Sequence, residues 1–563
     1  MATEPATTQP PTLASQVSRA VVWNTVFVPL RLLAEVLSTL VKLNLLTAAS
    51  YGLLALVSGA NNGLGTAVDL GTQRALPKYI PELSRSGGPR AVLRLLTAVF
   101  AAQMAVLAVL GVGLATLFRE PYLNTLRAKI LEDAALGSAD RAVLLDLLLR
   151  SGWLVIAAIL ALLFLGVLYD LLMAYLNSFF RQRAWNSITL AAGLLPQLLS
   201  VAAILLLPDQ WDILGVLGAM VLAPALAVAL AGWQVYRAWR ADFGLALAPE
   251  AQGSPPELQH PGSGAPLRSW LPAGFVRYTA VSFLMTATDF IASAGFAIYL
   301  AGNIGDVALL AAGAALARMA LGYLYTPMVG VQVPLFTRVR QGEGGTLDGA
   351  YQSLVRLQLL LLVPGAVGLV LLAEPALLVI SPQYLDAAPI VWVLAPCLFA
   401  ECLLTTAHNA LIVYERLGIV VASRLLTLLV VAPLAWLLPP ALGLLGVALA
   451  FGLARTAAGL WATANGARML GLRWPWRFSA RVVAATAAMA LLVLAIRGLL
   501  PPLPAQADLG ARLREALLLL AVSGVGAAGF LAALRLAGGL DPRDREQLAR
   551  MRLPGSRWLL RVL

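Results

Sequence analysis

The sequence predicts an all-α polytopic membrane fold of about fourteen transmembrane helices, arranged as two pseudo-symmetric six-helix lobes plus two C-terminal helices. Three observations predict it. The first is composition: of 563 residues, 60% are hydrophobic and only 12% charged, against about 45–50% and about 25% in soluble proteins. That leaves too few polar residues to cover the several soluble domains a chain of this length would form. The second is a succession of apolar runs of about 20 residues, the length that crosses about 30 Å of hydrocarbon. The third is the alternating charge of the connections between those runs.

The spans are expected at roughly 19–45, 51–77, 91–118, 153–179, 184–207, 213–236, 271–300, 307–335, 350–373, 387–414, 417–437, 441–464, 479–499 and 512–536. One set of connections carries Arg85, Arg90 and Arg94, then Arg181 and Arg183, Arg237 and Arg240, Arg338 and Arg340, Arg416, and finally Arg468, Arg473 and Arg477. The alternate set carries Asp209, Asp212, Asp306, Glu374, Asp386 and Asp508. Basic residues gather on the cytoplasmic side, so an even number of spans with both termini cytoplasmic is expected, in a prokaryotic plasma (inner) membrane. Most of the net charge of +12 belongs to this topology signal. A nucleic-acid partner would need a basic soluble domain, and the sequence contains none.

The connection 119–152 is long and mixed in sign, and residues 121–150 read as one or two amphipathic helices outside the hydrocarbon. Residues 241–268 form a Pro/Gly-rich linker between spans six and seven. The expected organisation is a polar cytoplasmic segment 1–18, an N-lobe 19–240, the linker 241–268, a C-lobe 269–464, two extra helices within 465–536, and an interfacial tail 537–563. Met1 to Gln16 is Thr/Pro-rich with no basic n-region, so the first hydrophobic helix is expected to direct insertion. Trp474 and Trp476 flank Pro475 as an interfacial anchor. Laying span one on span seven pairs Thr25 with Thr279 and Glu35 with Asp289, while Pro81 and Arg85 meet Pro334 and Arg338 one position out of that register. Halves with even span numbers make a parallel repeat about the membrane normal.

A charge at mid-bilayer costs about 2.5–3.5 kcal/mol on insertion scales, so each one needs a reason. Span one carries Asn24, Arg31, Glu35, Ser38 and Lys42 at steps of seven, four, three and four, which keeps them on one face. Two readings stand: an Arg31–Glu35 pair neutralising itself inside the bundle, or a stripe lining a water-filled cavity. Span seven repeats the arrangement with Tyr278, Ser282, Met285, Asp289 and Ser293, with Arg277 beside it. Span eight places Arg318, Gly322, Tyr325 and Gln332 together, and span two carries Asn62 and Asp69 with Arg74 nearby. A cavity between the halves lined by spans one, two, seven and eight is therefore expected. Its substrate-binding candidates are Arg31, Arg74, Arg277, Arg318, Asn24, Asn62 and Tyr325. Glu35, Asp69 and Asp289 are candidates for ion coupling or charge pairing. Arg424, Arg455, Glu401 and His408 read as structural groups, with Glu401 within reach of Arg424 or Arg455.

No phosphate-binding loop, metalloprotease motif, nucleophile elbow or ATPase domain is present. Cys397 and Cys402, five apart in one apolar helix, point in different directions. The expectation is a non-enzyme without cofactor or metal, driven by a gradient.

The run from Tyr51 to Leu96, YGLLALVSGANNGLGTAVDLGTQRALPKYIPELSRSGGPRAVLRLL, resembles the start of polysaccharide exporters. These are the Wzx-type lipid-linked oligosaccharide flippases of the multidrug/oligosaccharidyl-lipid/polysaccharide (MOP) superfamily. The resemblance rests on Tyr51-Gly52, Asp69-Leu70-Gly71, Arg74 and Tyr79-Ile80-Pro81-Glu82, with Ser381-Pro382-Gln383-Tyr384 and Leu540-Asp541-Pro542-Arg543-Asp544 in the second half. It implies two six-helix bundles alternating between inward and outward openings. It also implies an undecaprenyl-diphosphate-linked oligosaccharide as cargo, with membrane lipids and a polysaccharide polymerase machinery as partners. An anionic diphosphate in a low-dielectric layer suits buried guanidinium groups, which stay charged and bind phosphate oxygens in pairs. Arg31 and Arg318 are the mid-depth candidates, with Arg74 and Arg277 at the inner mouth and spans thirteen and fourteen offering a groove for the polyprenyl tail. The Arg/Asp-rich first span and Pro-Asn-rich second span of the superfamily's lipid II flippases are absent here, which favours the polysaccharide branch. The alternatives are a proton- or sodium-coupled multidrug exporter using Glu35, and a non-transporting partner of an assembly complex. Arg31→Ala is expected to abolish glycan export while the protein still folds, as read by export in cells and by monodispersity in detergent; full export would remove Arg31 from the mechanism.

Overall fold

The computed structural model describes residues 37–243, 271–501 and 509–538, apart from a few single positions in connections. Asn24, Arg31, Glu35, the linker beyond 243 and the tail beyond 538 lie outside these residues. Residues 37–45 end the first apolar segment. They are followed by α1 (Ala48–Asp69), α2 (Thr72–Thr116), α3 (Arg119–Leu131), α4 (Ser138–Ser178), α5 (Gln182–Leu206) and α6 (Asp212–Phe243). The second half has α7 (Phe275–Ile291), short turns Ala294–Ala297 and Ile298–Leu300, α8 (Ile304–Arg340), α9 (Leu347–Ile380) and a turn Pro382–Ala387. It continues with α10 (Ala388–Val413), α11 (Leu417–Leu470), α12 (Trp476–Leu499) and α13 (Leu509–Leu536). No strand occurs among the described residues, as expected where every backbone group must be satisfied within the bilayer.

Among the described residues, ten helices are long and apolar enough to cross a membrane. One of them, α11, holds two of the expected spans, because Gly443 (φ 57°) turns the chain between them. Adjacent Pro439 and Pro440 cannot donate to a helical ladder, and the reversal is tight: a Cβ at Gly446 would lie 2.3 Å from the Leu438 carbonyl oxygen. Gly88 (φ 64°), followed by Pro89, divides α2 in the same way. Two expected spans are interrupted by their own polar residues. α1 carries Asn61, Asn62 and Asp69, and α7 has only 17 residues, with Arg277 and Asp289.

The expected continuous span 51–77 is corrected. The helix breaks at Leu70 and Gly71, both left-handed (φ 54° and 76°). Asp69 supports the restart: its Oδ1 accepts from Thr72 Oγ1 (3.1 Å) and from the Gln73 backbone N–H (3.1 Å). Gln103 Nε2 steadies the same corner, donating to the Asp69 carbonyl (3.3 Å) and to Thr72 Oγ1 (3.0 Å). The expected span 271–300 likewise ends early, at Ile291. The polar stretch 121–150 is α3 followed directly by the 41-residue α4, which runs on into the apolar zone.

In the first half, α4 packs on α2, α6 and α1, and α5 pairs with α6; in the second, α10 is central, packed on α8, α9 and α11. The last two helices pair with each other and rest on α9. The halves meet along a seam in which α1 packs on α7 and α8, and α2 packs on α7. Small residues make the seam close, as in membrane bundles generally. A Cβ at Gly52 would meet the Ile304 carbonyl at 2.6 Å, and one at Gly59 the Gly295 carbonyl at 2.9 Å.

The seam is closed towards both ends. At the end with acidic connections, Tyr299 donates to the Leu56 carbonyl, the Gly305 N–H donates to Asp133 Oδ2 (2.9 Å), and Gln383 Nε2 donates to the Leu43 carbonyl (2.8 Å). Lys129 of α3 reaches the Ala301 and Gly302 carbonyls. Burial pushes its ammonium below the usual lysine range, while Glu132 and Asp306 oppose that shift. At the end with basic connections, Tyr79 meets Phe275 and Tyr278 edge-on, centroids 5.3 and 6.2 Å apart. Lys78 lies over the Tyr79 and Tyr278 rings at 5.1 and 4.8 Å. Gly71→Ala should weaken the fold, because the new Cβ would sit 2.3 Å from the Thr279 carbonyl at a positive φ. A loss of more than about 1 kcal/mol is expected, read as a melting midpoint lowered by several degrees in detergent. Gly232→Ala, with nothing within 4 Å of the new methyl, should leave the midpoint unchanged. Equal midpoints for the two variants would show that the seam tolerates a side chain at Gly71.

Candidate functional site: an arginine-rich cavity

Four helices of the second half turn charged side chains towards one interior space. Arg318 comes from α8, Glu401 from α10, and Arg424 and Arg455 from the two arms of α11; Asp289 joins them from α7 and Arg74 from α2 of the first half. Glu401 is near the middle of the 26-residue α10. Arg455 follows the Gly443 reversal by twelve residues, about 18 Å of helix, which places it at mid-depth.

The carboxylates are held by guanidinium groups. Arg455 Nη2 pairs with Glu401 Oε1, while its Nη1 donates to the Ala292 carbonyl (3.2 Å) and, at 3.5 Å, to the Asp289 carbonyl. Arg424 Nη1 pairs with Asp289 Oδ1, and its Nη2 donates to His408 Nε2 at 3.5 Å. Asp289 Oδ2 faces Arg74 Nη2 at 3.7 Å, an ion pair that joins the two halves. Arg74 Nη1 lies 3.7 Å from Met285 Sδ. Arg318 makes no hydrogen bond or ion pair among the described residues, with Glu401 and Arg455 acting on it only through space. It lines a cavity of about 200 Å3 together with Glu401, Arg455, Cys397 and Phe451. At about 30 Å3 per water, that space holds several waters and is too small for a glycan headgroup. Four guanidiniums against two carboxylates leave the described cluster net positive.

The sequence-expected residues divide into three groups. Arg74, Asp289 and Arg318 are brought into the cluster. Asp69 is spent on the α2 start and neighbours Asp170, to which the Gln73 side chain is hydrogen-bonded. Arg277 is exposed near the start of α7 and Asn62 is exposed in α1, while Tyr325 borders the cluster beside Glu401, and its Oη accepts from Gln332 Nε2 at 3.5 Å. Of the span-one stripe, Ser38 is buried and Lys42 Nζ donates to Gln197 Oε1 at 3.3 Å, inside the first half. Arg424, Arg455, Glu401 and His408, read from the sequence as structural groups, are half or more of the site. The available signal was their depth: arginines in two successive spans, neither with an acid four residues away, must find partners on other helices.

No family model and no curated protein sequence matches the chain. Solved structures do. "Lipid II flippase MurJ, inward closed conformation" has a TM-score of 0.63 at 12% identity, covering 91% of this chain and 99% of that one. An inward-facing multidrug resistance MATE family transporter of the MOP superfamily has a TM-score of 0.54 at 14% identity, covering 78% and 94%. An outward-facing one has a TM-score of 0.51 at 14% identity, covering 80% and 96%.

The Arg455–Glu401 pair supplies a stability test. Removing one partner of a desolvated pair costs about 3–5 kcal/mol, because the other charge is stranded, whereas removing both costs much less. Glu401→Ala should therefore lower the melting midpoint strongly, and Glu401→Ala combined with Arg455→Leu should restore most of the loss. Additive effects would show that the two side chains act independently. These helices, their seam and their extent give the chain the same fold as those solved structures.

Proposed function

We propose that this protein flips an undecaprenyl-diphosphate-linked oligosaccharide from the cytoplasmic to the outer leaflet by alternating access. The observation that carries the reading is the net-positive guanidinium cluster at mid-depth on an interior cavity. A diphosphate diester, with an ionised oxygen on each phosphorus, balances the excess charge of that cluster, and guanidinium forks match phosphate oxygens in geometry. Arg318, free of any described carboxylate, is the first anchor. Arg74, Arg424 and Arg455 complete the set as their own partners are exchanged for the substrate's oxygens. By the positive-inside rule the basic connections face the cytoplasm, so substrate enters through the Tyr79–Tyr278 end. The α12–α13 pair on α9, with Leu491, Leu494, Leu513 and Leu517 exposed, offers an apolar flank for the polyprenyl chain outside the polar path.

The multidrug-exporter alternative is disfavoured by the same charges. Organic cations need free carboxylates, and both carboxylates of the described cluster are taken by arginine. The likeness to the lipid flippase also spans more of this chain than do the MATE likenesses.

The deciding experiment is reconstitution into liposomes. The protein should make an undecaprenyl-diphosphate-linked sugar on the inner leaflet accessible to an external glycan-binding probe, and leave ethidium gradients untouched. Arg318→Ala should slow this translocation at least tenfold, with Arg318→Lys intermediate. Dye export without lipid translocation would overturn the reading.

A further inference from the structure

Asp289 is placed where a substrate anion would go. Each of its carboxylate oxygens faces a guanidinium from a different half of the chain: Oδ1 that of Arg424, Oδ2 that of Arg74 at 3.7 Å. Arg455 reaches the backbone carbonyl of the same residue at 3.5 Å. The neighbouring groups offer no competing acid at this point: His408 accepts from Arg424, Met285 lies against Arg74, and Glu401 is held by Arg455. Between this pair and the basic end the halves touch by backbone, with Gly71 against Thr279 and Phe283, and the Tyr79–Phe275–Tyr278 rings cover the basic end. Arg74 stands one turn from the Leu70–Gly71 break, on the helical segment that also carries Tyr79.

The geometry points to Asp289 as an internal substitute for the substrate's diphosphate: a counter-anion that bridges Arg74 and Arg424 in the empty protein, ties the halves together deeper than the Tyr79–Tyr278 rings, and is displaced when a phosphate group takes those guanidiniums. This inference rests on the anionic-substrate reading above and adds a role that reading does not require. The site then has a built-in selectivity. A ligand must outcompete a carboxylate already held by two arginines, so a single weak anion does not open the seam, whereas a diphosphate, with oxygens for both guanidiniums at once, does. In the exchange a dianionic diphosphate takes the place of one carboxylate at the same pair of cations, and the released Asp289 carboxylate turns to water in the opened cavity.

The test reads seam opening directly. In full-length protein carrying Cys397→Ala and Cys402→Ala, a Thr279→Cys reporter beneath Gly71 is labelled by a membrane-impermeant maleimide only when the halves part. Labelling should be slow in this parent, at least tenfold faster with Asp289→Asn added, and accelerated in the parent by millimolar inorganic pyrophosphate far more than by chloride at matched ionic strength. Pyrophosphate should add nothing further in the Asp289→Asn protein. Equal labelling with and without Asp289→Asn would overturn the bridging role, even if the protein translocates lipid-linked glycan. Fast labelling of Asp289→Asn with no response of the parent to pyrophosphate would overturn the substitution of one anion for another. Failure of the liposome assay, with both labelling effects present, would count against the proposed cargo and leave the role of Asp289 standing.

Discussion

A charged carboxylate within the hydrocarbon layer is costly unless it is paired, and Asp289 takes its cations from both halves of the chain. That one constraint organises much of the rest. Arg74 starts beside the first half of α7 and reaches Asp289 by extending its side chain past Met285, and the break at Leu70 and Gly71 is what turns the start of α2 against α7. The break exposes helix-end groups in a place with little water, so Asp69, Thr72 and Gln103 are committed to satisfying them. Glycine at position 71 is required twice, by its positive φ and by the Thr279 carbonyl that fills the space of a side chain.

On the other side of the cluster the constraint works through α11. Its two arms carry Arg424 and Arg455, and the reversal at Gly443 brings both arms against α10. A guanidinium at mid-depth needs several acceptors, and Arg455 finds them in Glu401 and in the carbonyls of Asp289 and Ala292, which are exposed because α7 stops at Ile291. The early end of α7 is thus tied to the cluster: a continuous helix would have used those carbonyls internally.

Much of this was legible in the sequence. Hydrophobic length, loop charge and the pairing of deep acids pointed to the all-helical fold and to Asp289, Arg318 and Arg74. What sequence periodicity supplies is depth and the face of a single helix; it does not say which faces of different helices meet. Arg424, Arg455 and Glu401 have no partner within a turn on their own helices, so their role depends on rotations about three axes that packing alone decides. Asn62 and Arg277 show the same limit: both are exposed, and neither pairs with the charged groups around Asp289 among the described residues. The interruption at Leu70 was hidden because leucine rarely adopts a left-handed backbone, and only the adjoining Gly71 signalled it.

The two closures of the seam differ in kind. At the acidic end the halves are joined by hydrogen bonds from Lys129, Tyr299, Gln383 and a backbone N–H, groups that must acquire water when they part. At the basic end they are joined chiefly by aromatic rings, whose separation exposes carbon and creates few new hydrogen-bonding sites. Opening the acidic end is therefore a hydration event, sensitive to water activity and opposed by osmolytes excluded from the site. Opening the basic end is an exposure of apolar surface, marked by a positive heat-capacity change. The two closures of the seam then answer to different properties of the solvent, and conditions that loosen one need not loosen the other.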